Sequence, residues 1–126
     1  MTNEALKLLS KDTSGLTTYE YLANHIESVD DDMPVVVESM IRADSTGQFS
    51  VSAARYLAAI GLERFRPHID CLVEAAINKD REHRYIADLL PSIWGEDYES
   101  RADELALADN NFRRIYKRMT VPKSGI

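Results

Sequence analysis

Cysteine is nearly absent from this chain: Cys71 is the only one in 126 residues. An internal disulfide is therefore excluded, and a reducing, cytoplasmic setting is the default expectation. The three histidines, His25, His68 and His83, stand far apart in sequence, whereas a zinc centre takes about four convergent ligands. There is no glycine-rich phosphate loop and no Ser, His and Asp grouping of the kind hydrolases use. No apolar run approaches the roughly 18 residues of a membrane span. The opening MTNEALKLLSKDTSG has no basic region followed by an apolar stretch, so the chain is expected to be neither secreted nor inserted. Long period-two alternation is missing too. Val35-Val36-Val37 is the sole β-branched run, and Met40 and Ile41 after it continue at helical spacing. These gaps leave no catalytic residue, no metal and no cofactor to nominate.

What the chain does have is helical apolar periodicity, repeated from one end to the other. With 44% hydrophobic residues it has enough for one compact domain over residues 1–126, with frayed ends expected at 1–15 and 120–126. Asn3 to Ser10 reads as a first helix. Thr17-Thr18-Tyr19-Glu20 has the form of a capping box ahead of the stripe Tyr19, Leu22, Ala23 and Ile26. Asp32 can cap a helix that carries Pro34 in its first turn and Met33, Val36, Val37, Met40 and Ile41 on one side. Ser50 can cap the next, in which Ala53, Ala54, Ala58 and Ala59 allow close approach, Leu57 and Ile60 supply bulk, and Gly61 is a left-handed stop. Pro67 opens the clearest comb, Ile69, Leu72, Val73, Ala76 and Ile77. Asp80 caps a segment striped by Ile86, Leu89, Leu90, Ile93 and Trp94, which Pro91 should kink or break. Asp97 and Asp109 can cap two further helices, the second carrying Phe112, Ile115, Tyr116 and Met119.

The fold class is all-α. A partial echo at a 34-residue step, from Ala53 and Gly61 to Ala87 and Gly95, points to stacked antiparallel helix hairpins. Either an α-solenoid-like right-handed superhelix or a compact helical bundle satisfies it. Over residues 51–105 the segments SAARYLAAIG, RPHIDCLVEAAI and DREHRYIADLLPSIWG resemble HEAT-type repeats, in the small-residue opening of one helix, Gly61 after it, Pro67 at the start of its partner and the Asp80 and Arg84 pair. The step itself matches tetratricopeptide length better. The resemblance implies a helix-lined face offered to a partner rather than an assembled reaction centre.

Charge says which partners suit that face. The net charge of −6 includes Arg113, Arg114, Lys117, Arg118 and Lys123 in an acid-free final stretch, so the preceding body is more acidic than the total. Such a body discourages non-specific nucleic-acid binding. The leading reading is a small intracellular module that binds another protein, as an adaptor, inhibitor or immunity-type partner. Glu63, Arg64, Arg66, Arg81, Arg84 and Tyr85, at expected hairpin ends and off the stripes, are the candidate contacts. The alternative is nucleic-acid binding through the basic helix 110–119, with Arg113, Arg114, Lys117 and Arg118 as the anion-binding candidates. Asp30-Asp31-Asp32 lacks the oxygen spacing and glycine of a calcium loop and reads as charge at a helix start. His68 and Cys71 could share a helix face as a dyad, but beside Leu72 the cysteine reads as a small buried hydrophobe.

Overall fold

The computed structural model describes residues 1–120; the last part of the expected frayed tail, 121–126, lies outside the described residues. Among those described there are eight α-helices and no strand: α1 (Asn3–Ser10), α2 (Leu16–Asn24), α3 (Met33–Ala43), α4 (Gln48–Gly61), α5 (Arg66–Lys79), α6 (Leu89–Trp94), α7 (Ala102–Ala108) and α8 (Asn110–Thr120). Each helix is too short to be stable alone in water, so its stripe must be covered by neighbours. They form two layers. Helices α1, α3, α5 and α8 pack side by side in one, α2, α4 and α6 in the other, and the α4–α5 hairpin joins the layers most extensively. Between them lies one core, with Met33, Met40, Leu57, Phe65, Ile69, Ile77, Ile86, Phe112 and Ile115 almost wholly buried.

One connection occurs three times. Asp12, Asp44 and Asp80 are each at most 4% exposed and each follows the end of a helix in the first layer. Asp12 accepts the amides of Ser14, Gly15 and Thr18, and Asp44 accepts those of Thr46, Gly47 and Ser50, in both cases at 2.8–3.2 Å. Asp80 accepts the amides of Arg84, Tyr85 and Ile86 at 2.6–2.9 Å. Each carboxylate thus satisfies the orphan donors of the turn and of the helical segment that follows. Burial disfavours the Asp12 charge, but hydrogen bonds from the Thr18 hydroxyl and the three amides outweigh it and hold that carboxyl below its ordinary range.

A second device ties each first-layer helix to the next. The Arg42 guanidinium donates to the carbonyls of Leu9 and Asp12 at 2.8 and 3.3 Å. Lys79 does the same to the carbonyls of Ile41 and Asp44, and Arg118 to that of Ile77 at 2.6 Å. Cations there neutralise the negative end of the preceding helix and fill acceptors that would otherwise lack donors.

Glycine marks where one turn presses on the following one. Gly15 has φ +102°, and a Cβ there would stand 2.9 Å from Phe49 Cβ, 3.0 Å from Met40 Sδ and 3.2 Å from Asp44 Cβ. Gly47, at φ +90°, faces Asp80 Cβ and the Ala76 carbonyl in the same way. The corresponding place in the third turn is held by His83 at φ +57°, an exposed residue with no fourth turn described beyond it. A side chain fits there because nothing presses on it.

Several expectations change. The N-terminal segment is helical over Asn3–Ser10 rather than frayed: Thr2 Oγ1 accepts the Ala5 amide, the Met1 amine pairs with Asp32 and Arg42 closes the far end. Thr17 and Ser50 cap nothing. Their helices start earlier, at Leu16 and Gln48, because Asp12 and Asp44 take the amides. Asp32 caps nothing either, since its carboxylate is turned to Met1. Gly61 is the last helical residue of α4 with ordinary φ, not a left-handed stop. Asp97 binds Arg101 instead of an amide, and a 3-10 turn Tyr98–Arg101 precedes α7. The break at Pro91 falls just upstream, as a 3-10 turn Ile86–Asp88, leaving the proline in the first turn of α6 where no amide is needed. Asp109 does cap α8, through the amides of Asn111 and Phe112.

Candidate interaction surface

The six hairpin-end candidates fall into two groups at opposite ends of α5, a helix of 14 residues and so about 20 Å long. At the start, Arg64 forks onto Asp30 and lies 4.5 Å from the centre of the Phe65 ring, while Arg66 binds Glu63 at 3.0 Å. The bidentate contact from Arg64 holds the exposed Asp30 carboxyl below its ordinary range. Arg64 is therefore a clamp between the α4–α5 turn and the turn ahead of α3. At the other end Arg81, Arg84 and Tyr85 line a polar cavity of about 280 Å3 with Ser45, Thr46, Lys79, Asp80 and Glu82, and Arg84 pairs with Glu82 at 2.6 Å. The two groups do not form one site.

The basic helix divides in the same fashion. Phe112 and Ile115 are buried, Tyr116 and Met119 half-buried, as the stripe predicts. Arg114 donates to Asn78 Oδ1 at 3.0 Å and Arg118 to the Ile77 carbonyl, so both are half-buried against the end of α5. Only Arg113 and Lys117 of the four stand exposed on α8. Trp94 and Tyr98 are packed, not free: the Trp94 indole donates to Asp109 at 2.9 Å, and both rings sit edge-on to Phe112.

The face that does stand open belongs to the first layer. Between α3 and α5 runs an apolar groove of about 510 Å3, lined by Pro34, Val37, Glu38, Ile41, Arg42, His68 and Cys71. Cys71 is exposed, which corrects the reading of it as a buried hydrophobe. It occupies the position next to Leu72 that turns outward when Leu72 and Val73 turn in. Ile41, also placed on a buried stripe, is 36% exposed at the groove wall, and Ile60 at the end of α4 is 47% exposed. On the far side of α5 a second groove, of about 360 Å3, is lined by Asp70, Cys71, Glu74, Ala108, Asp109, Asn110 and Asn111. Cys71 thus lies on the ridge between two grooves.

Carboxylates rim this ridge: Glu38 on α3, Asp70 and Glu74 on α5, and Asp109 ahead of α8. Asp70 has no hydrogen-bond partner among the described residues; burial raises its pKa, Arg66 opposes that, and the charge of Asp109 adds to it. An acid whose folded-state pKa is raised costs stability as pH climbs past its ordinary value of 3.8. Asp70→Asn is therefore expected to raise the melting temperature at pH 7 by about one or two degrees, with the gain disappearing below pH 4, as scanning calorimetry at the two pH values will report.

Sequence reasoning missed these grooves because Ile41 and Cys71 sit at the margins of apolar combs, and which margin is covered depends on the order of stacking. The chain matches no family model, no curated protein and no solved structure. Among the described residues no helix is long and apolar enough to cross a membrane, and no cluster of three metal-ligating side chains occurs.

Proposed function

We propose that this chain is a small intracellular helical-repeat module, HEAT-like in kind, that binds another protein through the exposed face of α3 and α5. The observation that carries the reading is the open apolar groove between α3 and α5, with the exposed Ile41 and Cys71 on its walls. Apolar side chains left uncovered side by side on a folded surface suit recognition better than scaffolding. The recurrence of the Asp12, Asp44 and Asp80 turns supports a repeat, and the layered packing supports a continuous helix-lined face for an adaptor, an inhibitor or an immunity-type protein. Nucleic-acid binding by α8 is the weaker reading, since Arg114 and Arg118 are already engaged by α5.

Affinity capture from native lysate at low salt tests it, using the chain beside Glu38→Lys/Glu74→Lys and a charge-matched control, Glu20→Lys/Glu96→Lys, changed away from the groove. A discrete protein retained by the native chain and by the control, and lost with the groove variant, is the expected result. Equal capture by all three, or none above background, contradicts the proposal.

A further inference from the structure

We infer that the second layer carries a binding site for a small phosphomonoester, in the pocket lined by Tyr19 of α2, by Ser52, Arg55, Tyr56 and Ala59 of α4, and by Ser92 of α6. It shares no residue with the α3–α5 groove and stands apart from the protein-binding reading. Its volume of about 360 Å3 has room for a phosphate and a ring-sized group.

What selects the ligand is a set of donors with no carboxylate among them. The chain as a whole is acidic, with a net charge of −6, yet the one charged side chain lining this pocket is Arg55. Its guanidinium is held from one side: Nε donates to Ser92 Oγ at 3.0 Å, and that hydroxyl donates in turn to the Asp88 carbonyl at 2.9 Å. The two terminal nitrogens make no hydrogen bond among the described residues. One carboxylate, Asp88, lies 3.9 Å from Arg55 Nη1, outside the pocket lining; both side chains are at least half exposed, so the pairing is weak and easily exchanged for a ligand. The hydroxyls of Tyr19, Ser52 and Tyr56 likewise have no hydrogen-bond partner among the described residues.

A guanidinium fork matches a carboxylate or a phosphate. A carboxylate has only two oxygens, both taken by the fork, and would leave the three hydroxyls with nothing to donate to. A phosphate monoester presents a third terminal oxygen out of the plane of the fork, which the Tyr and Ser hydroxyls of the same pocket can serve. The rings of Tyr19 and Tyr56, edge to face at 6.2 Å, supply an apolar wall for the esterified group. Because the net charge of the chain repels anions in general, capture has to come from these local donors.

NMR titration of the isotope-labelled chain at about pH 7.5, where a phosphate monoester carries close to two negative charges, tests this with phenyl phosphate, benzoate and benzyl alcohol as probes. Phenyl phosphate is expected to saturate and to shift the amides of Ser52, Arg55, Tyr56 and Ala59. It should bind at least tenfold more tightly than benzyl alcohol and severalfold more tightly than benzoate. Arg55→Gln should weaken it at least tenfold and Arg55→Lys, which keeps the charge without the fork, severalfold, both with an unchanged melting temperature. Arg113→Gln, at an exposed cation on α8, should leave it unaltered. Phenyl phosphate held no more tightly than benzoate or benzyl alcohol, or shifts on α8 instead of α4, overturns the inference. So does equal weakening by Arg55→Gln and Arg113→Gln, which would mean attraction to any surface cation. A phosphotyrosine tetrapeptide bound at least tenfold more tightly than phenyl phosphate also overturns it, since the ligand would then be a modified protein and not a small molecule.

Discussion

Gly15→Ala is expected to lower the stability of the fold by about 3 kcal/mol and its melting temperature by roughly 10 °C, read by chemical denaturation and calorimetry. Two costs combine. A backbone at φ +102° is uncomfortable for any residue with a Cβ, worth about 1–2 kcal/mol. The added methyl would also lie 2.9 Å from Phe49 Cβ and 3.2 Å from Asp44 Cβ, closer than carbon atoms pack, so one turn must retreat from the next at a further cost of about 1–3 kcal/mol. Gly47→Ala should cost less. Its backbone is as unusual, but the nearest contact would be 3.2 Å, to Asp80 Cβ. A Gly15→Ala effect no larger than that of Gly47→Ala would mean that the first two turns do not press together as described.

Asp44→Ala is the second large loss, again about 3 kcal/mol. The side chain is 1% exposed and accepts the amides of Thr46, Gly47 and Ser50, and two of those three donors are buried with it. Truncation leaves charge-assisted bonds unmade, each worth about 1.5–3 kcal/mol, with partial recovery when water enters. Asp44→Asn keeps one acceptor oxygen and should lose about half as much. Ser50→Ala provides the contrast: its hydroxyl is buried with no partner, so its removal should be neutral or slightly stabilising. If denaturant midpoints place Ser50→Ala level with Asp44→Ala, the loss comes from general disturbance of the turn rather than from its carboxylate.

The helices were legible in the sequence because their combs are regular. Asn3–Ser10, the Pro67 opening of α5, the cap at Asp109 and the break near Pro91 all follow from local chemistry, and the structure has each of them. The organising unit was harder to see. Asp12-Thr-Ser-Gly15 with Thr18 and Asp44-Ser-Thr-Gly47 with Ser50 spell nearly the same motif, a signal that could have been found, but the third turn replaces its glycine with His83 and its hydroxyl with Ile86. The 34-residue echo instead pairs Gly61 with Gly95, which adopt different conformations, ordinary helical and φ +98°. Thr17 and Ser50 looked like caps because hydroxyls at helix starts usually are, yet a carboxylate reaching across the whole turn displaced both.

The surface was less legible still. Whether Ile41 and Cys71 are covered is decided by which helices flank α3 and α5, information that lies in the stacking and not in either comb. Arg64 at its hairpin end and Arg118 on the basic helix looked free in sequence because their partners are distant: Arg64 meets Asp30 and Arg118 meets Ile77 only once the layers assemble.

Cys71 reports on the central claim, that the outer face of α3 and α5 is where this chain meets its partner. Its alkylation rate can be measured in the free chain and in the captured complex. Rapid reaction in the free chain and at least tenfold protection in the complex is the predicted result. A thiol equally reactive in both would place the partner elsewhere and contradict it.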